Sequence, residues 1–347
     1  DFLEQRVSAD AIGHCGWPID IHPPHGYRDP EPACTHDQTP GVIDIPFGIL
    51  YSRNVENLLF AGRNVSVSHE GLGTLRVIAT TAVMGQAVGE AAALCLEQGT
   101  PPADIHTKHI SELQRRLMRE DQSIIGRTLN EPADLSRGAI VTASSTTSLE
   151  LLNTEQWQTL TARYGLILPL ESETLENISF HVDPAEETEL AFEVFASDKP
   201  QNYRFAERLG EFSHTVSQRG WIDVGINASP GPGRKLIVVF RANPKIHLGI
   251  TRERLTGVLG IAVQNVPALG YRNSFTFQRT TPVFRTVPMQ DVFRPENVID
   301  GHIRPHGLPH CWASAPMNPA QDTWLELGFA MSMDVDCVEL VFNSDLN

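Results

Sequence analysis

Apolar and polar positions follow no period over residues 1–50, which are rich in Pro, His and Gly. The stretch "DIHPPHGYRDPEP" must be irregular or extended. "VIDIPFGILYS" (42–52) has strand composition, and "NLLFAG" (57–62) is a short apolar run ended by Gly, the pattern of a buried parallel strand. A long helix is predicted over about residues 74–98, stopped by Gly99 with Pro101 and Pro102 behind it. A second, over about 107–120, sets Ile110, Leu113 and Leu117 on one face with Thr107 as N-cap.

The pattern changes near residue 139. Short strand-like runs follow one another: "AIVTAS", "ENISFHVD", "ELAFEVFA", "KLIVVFR", "GVLGIAVQ" and "SFTFQ". Pro/Gly/Asn/Asp clusters such as "NASPGPGRK" separate them, which is the signature of an antiparallel sandwich. From about 290 a third texture begins with "FRPENVIDGHIRPHGLPHCWAS". "DTWLELGF" and "DCVELVFN" then read as two strands of a further sandwich.

The long helix carries two stripes. Ala82, Gly85, Gly89, Ala92 and Ala93 share one face, where side chains that small let a backbone or a flat ligand come close. Val77, Thr81, Met84, Val88, Ala91 and Cys95 form the other, so the helix is expected to be clasped on both sides. Residues 77–96 also approach the length of a membrane span, but Gln86, Glu90, two Thr and two Gly lower their apolarity, and a buried helix meets the same pattern.

Charge and cysteine usage narrow the partners. A net charge of −15 with no dense Lys/Arg run argues against a nucleic-acid surface. Five cysteines, widely spread and with no CxxC pair, fit reduced thiols and slightly favour a cytoplasmic setting.

At the predicted helix start, Gly71, Gly73 and Thr74 leave backbone N–H groups free, where the helix dipole is positive. Arg76 adds a full positive charge there, which suits a bound anion: a pyrophosphate, or the negative edge of a reduced flavin. Such a terminus contributes about 0.3–1 kcal/mol, up to about 2 when partly buried. For a two-electron couple that is about 10–40 mV, enough to bias a redox potential and not to create the chemistry. The plainer alternative is a Gly-rich turn capping a buried helix, with Arg76 paired to a carboxylate.

The sequence "NVENLLFAGRNVSVSHEGLGTLRVIATTAVMGQAVGEAAALCLEQG", preceded by "IDIPFGILY" and "IGHCGWPIDIHPPHG", resembles the closing segment of FAD-dependent oxidoreductases of the glutathione-reductase-like, two-dinucleotide-binding type. The resemblance covers about residues 1–126 and departs from the family pattern at His14 and Cys15, where an aromatic residue and a glycine are usual. It implies FAD as cofactor. Gly62, Arg63 and Asn64 would line its pyrophosphate and ribityl chain, and Gly73, Thr74 and Arg76 would meet the flavin end. In such proteins the G-x-G-x-x-G strand–turn–helix lies far upstream. No such motif occurs here, so the chain is expected to be the C-terminal part of a flavoenzyme whose N-terminal dinucleotide-binding half is missing. Alone it should be inactive.

The His-rich loop "GWPIDIHPPHGYRD" offers Asp20 and His22 as acid/base residues beside a flavin, since removing a hydride from an alcohol or amine carbon needs a proton acceptor. A loop histidine satisfied by backbone hydrogen bonds is the structural alternative. Asp-x-His-x-x-His does not match the strong zinc spacings, and no metal is expected. The sandwich offers no catalytic cluster. The last segment looks like the first strands of a discoidin-type jelly roll, a module type that often binds sugars, and Trp312 or Trp324 could stack on a sugar ring.

The sequence therefore predicts a multidomain chain. Residues 1–126 are the C-terminal remnant of an α/β FAD-binding domain, 127–289 a β-sandwich, and 290–347 the truncated start of a discoidin-like β-sandwich. The predicted chemistry is hydride transfer from a polar, carbohydrate-derived small molecule to FAD, with no nucleic-acid or membrane partner. The rival from another class is a non-catalytic carbohydrate-binding β-sandwich protein.

Overall fold

The computed structural model describes residues 2, 4–37, 41–266 and 271–342, which divide into two compact units, Asp1–Ala133 and Asp134–Asn347. In the first unit β1 (Ala11–Cys15) and β2 (Ile19–Ile21) precede β3 (Thr35–Asp37) and β4 (Ile43–Pro46). β1 pairs antiparallel with β4, placing His14 opposite Asp44, and β2 pairs antiparallel with β3, placing Asp20 opposite His36. Four helices follow: α1 (His69–Leu75), α2 (Ile78–Gln98), α3 (Pro102–Lys108) and α4 (Ile110–Arg119). Ile43, Ile45, Phe47, Met84, Leu94 and Leu113 belong to the core that β1, β4 and the helices share.

Three sequence expectations change here. "NLLFAG" forms no strand: its pairing is a single antiparallel bridge between Leu59 and Tyr51, and Leu58 is 41% exposed. The long helix is two helices, interrupted at Arg76 and Val77. The helix expected over 107–120 is also two, and Thr107, expected as N-cap, instead sits in the last turn of α3 and donates to the Ala103 carbonyl. The stop at Gly99 is as read: its φ is +61°, a left-handed conformation that suits glycine, and the Thr100 amide donates to the Cys95 carbonyl.

α2 is not clasped on both sides among the described residues. It buries Thr80, Met84, Ala87, Ala91 and Leu94, while Ala82, Gly85, Gly89 and Ala93 are exposed. A methyl group built on Gly85 or Gly89 meets nothing within 4 Å. By length and composition alone α2 could cross a membrane.

The second unit is a β-sandwich. Its strands are β5 (Ile140–Ala143), β6 (Gln156–Leu160), β7 (Tyr164–Pro169), β8 (Leu175–Pro184), β9 (Thr188–Ala196), β10 (Glu207–Val216), β11 (Gly220–Ala228), β12 (Lys235–Phe240), β13 (Asn243–Thr251), β14 (Leu259–Val266), β15 (Tyr271–Gln278), β16 (Thr281–Pro282), β17 (Phe284–Val287) and β18 (Leu325–Gly328). One sheet runs β10-β9-β12-β7-β14-β15. The other runs β11-β8-β13-β16, with β17 joined to β8 and β6 to β13. Every pairing is antiparallel, and the alternating apolar runs supply the filling between the sheets. Phe180 and Phe240 meet edge to face there, with centroids 4.8 Å apart.

On the β11-β8 sheet, rings and guanidinium groups stand in file. The Arg285 guanidinium lies 4.5 Å from the Trp221 ring centre, and Trp221 stacks on His181 at 5.3 Å and 9°. His181 lies 5.0 Å from Trp157, whose ring Arg219 covers at 4.5 Å. Of the two strands expected after residue 320, β18 forms and pairs with β5. Residues 336–342 form none, and the last residue of that expected strand lies outside the described residues.

Candidate functional site

The candidate residues gather where α1 meets β2. Gly73 is helical, and a Cβ on it would come 2.8 Å from the Asp20 carbonyl oxygen and 3.1 Å from the Asp20 nitrogen. Only a residue without a side chain lets the helix backbone approach the strand this closely. Its neighbour Thr74 is fully buried; its hydroxyl donates to the Trp17 carbonyl and lies 3.5 Å from the Cys15 sulfur. These contacts hold α1 against the backbone from Cys15 to Asp20.

Arg76, at the end of α1, is thereby set against β2. Its Nη2 donates to Asp20 Oδ2 at 2.8 Å and to the Asp20 carbonyl at 3.2 Å. The Asp20 side chain is 17% exposed, so the ion pair is half withdrawn from water. The carboxylate partner for Arg76 is thus within the chain, as the plainer sequence reading had it. His22 follows on the same strand edge. Its Nδ1–H donates to the Ala33 carbonyl at 3.0 Å, so Nε2 is the basic nitrogen of the neutral ring; it lies 3.5 Å from Asp20 Oδ2 and forms an ion pair with it when protonated. The ring is 54% exposed and open to a solute.

The break at Arg76 and Val77 moves the helix start. α1 is capped by its own chain, with Ser68 Oγ accepting from the Gly71 amide and Glu70 in the first turn. α2 begins at Val77 with no side-chain cap and no acidic residue in its first turn, and Ile78 is 88% exposed. Gly73 and Thr74 therefore lie in the last turn of α1, and the open, positive helix end lies at Ile78.

Gly62, Arg63 and Asn64 form a separate turn. Gly62 has a φ of +105°, and the nearest atom to a Cβ there would be Asn64 Oδ1 at 3.8 Å. Arg63 and Asn64 are exposed. The open Gly62 turn and the uncapped start of α2 fit a cofactor with a phosphate chain and an electron-rich ring edge. Gly73 touches β2 at Asp20, and Thr74 touches Trp17 and Cys15 ahead of it.

Elsewhere the loop residues are used for structure. His14 lies across from Asp44, and burial pushes the His14 imidazole below its ordinary value and the Asp44 carboxyl above it. Among the described residues no three His, Cys, Asp or Glu side chains form a metal-holding group, and the five cysteines are unbonded. Trp312 donates its indole N–H to the Ser145 carbonyl at 3.0 Å, while Trp324 is 46% exposed. Sequence spacing did not reveal the pairing of Arg76 with Asp20, 56 residues apart.

The profile of the family described as FAD dependent oxidoreductase matches residues 1–117. No curated protein matches this chain. Two solved structures of latent aurone synthase, a polyphenol oxidase, are similar over 40% and 49% of this chain at 9% and 10% identity, each with a TM-score of 0.20. The chain spans 30% and 35% of their length, and a likeness that shallow carries no argument. Over residues 1–117 the chain is thus similar to the FAD dependent oxidoreductase family, whose cofactor is FAD and whose chemistry is flavin-linked oxidation and reduction.

Proposed function

We propose that the first unit serves an oxidoreductase acting on a polar, sugar-derived small molecule, with His22 as the base. FAD, when bound, supplies the acceptor for the two electrons leaving the substrate carbon as hydride. The Gly62–Asn64 turn and the start of α2 are the contacts this chain offers the cofactor, while Arg76, expected to meet the flavin end, is engaged by Asp20. The adenosine end falls to a G-x-G-x-x-G element that this sequence does not carry. Gly73 and Thr74 hold the segment from Cys15 to Asp20 at the flavin end.

His22 Nε2 takes the substrate hydroxyl or amine proton, and Asp20 then faces the new positive charge. Arg76 anchors Asp20 in place. The observation that carries this reading is the chain Arg76–Asp20–His22, with the outer nitrogen of His22 free of backbone partners and the inner one committed to Ala33. The sugar-derived class rests on the discoidin-like texture of residues 290–347.

Flavin reduction by substrate, followed by stopped-flow absorbance in the FAD-loaded protein, tests it. His22→Ala should slow reduction by about 10²–10⁴-fold, the usual contribution of a positioned base. Asp20→Asn should slow it less. Unchanged rates in both variants would refute the assignment.

A further inference from the structure

A second polar chain in the first unit takes no part in these steps. The Tyr51 hydroxyl lies 2.8 Å from His106 Nδ1, and His106 Nε2 lies 3.1 Å from Asp10 Oδ2. Asp10 already accepts from the Gly48 amide at 2.8 Å and from Ser8 Oγ at 2.5 Å, so its carboxylate is fixed at both oxygens. Since a carboxylate only accepts, Nε2 carries the proton that His106 gives to Asp10. Nδ1 is then the lone pair that accepts from the Tyr51 O–H.

The three side chains are held rigidly. Asp10 is 15% and His106 31% exposed at the side chain. Fully buried Phe47 packs against both rings, edge-on to His106 at 81° and tilted 35° to Tyr51. Gly48 makes room: a Cβ there would lie 3.2 Å from His106 Cε1 and 3.3 Å from Asp10 Oδ2. A hydroxyl bonded to the free nitrogen of an imidazole, whose other nitrogen is oriented by an anchored carboxylate, is the arrangement of an activated nucleophile.

We propose that Asp10, His106 and Tyr51 form a second reactive site, in which Tyr51 Oη is a base-activated nucleophile toward an activated acyl group. In the transfer, Tyr51 Oη bonds to the acyl carbonyl carbon while its proton passes to His106 Nδ1. The bond from that carbon to the leaving group breaks, and the leaving group departs with the proton returned by His106. The product is an O-acyl tyrosine, with no change of oxidation state. A cluster that merely fastened α3 to Asp10 would leave this oxygen no more reactive than any other phenol.

The test uses N-acetylimidazole on the full chain, with acetylation at each tyrosine followed by peptide mass spectrometry. Tyr27, 90% exposed and bonded to Arg28, is the internal reference, and Tyr51→Phe assigns the label. Tyr51 should label faster than Tyr27 despite its partial burial. His106→Ala should lower the Tyr51 rate about tenfold or more and leave Tyr27 unchanged, in keeping with general-base contributions. Added free imidazole should restore the Tyr51 rate in His106→Ala, and Asp10→Asn should reduce it less. A Tyr51 rate that stays level or rises in His106→Ala, or a loss that imidazole does not restore, overturns the proposal.

Discussion

Replacing Gly73 with Ala offers a sharp trial of how α1 is seated. The new Cβ would lie 2.8, 3.1 and 3.3 Å from the O, N and C atoms of Asp20, all of them backbone that cannot swing aside. Relief requires α1 to retreat from β2 by roughly half an ångström, a large shift in a close-packed interior. That retreat also stretches the Arg76–Asp20 bond and the Thr74–Trp17 bond, which sit on either side of the contact. Overpacking of this kind costs about 1–3 kcal/mol. Ala in a helix gains about 1 kcal/mol over Gly, which offsets part of it. Gly85→Ala isolates the two effects, because a Cβ there meets nothing within 4 Å and only the helix gain remains. The difference between the two variants is then the contact itself, about 1–3 kcal/mol. With a urea dependence of about 1–3 kcal/mol per molar, their midpoints should differ by about 1 M. The helix band in far-ultraviolet circular dichroism is the assay, since among the described residues all four α-helices belong to the first unit. A Gly73→Ala midpoint equal to or above that of Gly85→Ala would refute the close-approach argument.

Other expectations concern charge. Lys235 is 4% exposed, donates to the Pro200 carbonyl and lies over the Tyr203 ring; burial lowers its amine from 10.5 to about 8. The folded state thus loses this proton near pH 8 while the unfolded chain keeps it to 10.5, so Lys235 weakens the fold fully below pH 8 and less as pH rises. Lys235→Met should raise the melting temperature at pH 7, with the gain shrinking between pH 8 and 10.5. Burial likewise lowers His306 from 6.5 to about 4, so the stability it leaves intact above pH 6.5 is lost as pH falls toward 4; His306→Asn should flatten that stretch of a pH–melting curve. Removing the guanidinium with Arg76→Gln strands a half-buried carboxylate and should cost about 1–3 kcal/mol in urea denaturation, most of it recovered in Asp20→Asn/Arg76→Gln.

The strands of the sandwich were legible because period-2 alternation and Pro/Gly punctuation are local, and β8, β9, β12, β14 and β15 form where those runs occur. What decides the candidate site is not local. The run from Gly71 to Gln98 has no residue that forbids a continuous helix. The interruption at Arg76 and Val77 coincides with a guanidinium bonded to Asp20, 56 positions earlier. "NLLFAG" has the composition of a buried strand but little beyond Tyr51 to pair with. The small face of α2 was visible as a pattern, yet a pattern cannot say whether a neighbour is present. Asp10, Tyr51 and His106 are 41 and 55 residues apart in sequence, so no motif could have joined them.

The file Arg285–Trp221–His181–Trp157–Arg219 bears on how this sequence can drift. His181 is the link between the two indoles, so a non-planar side chain there would unseat both at once, whereas each arginine touches one ring only. Related chains should accordingly keep or abandon the three rings as a block, their substitutions arriving together, while the two terminal cations vary one at a time.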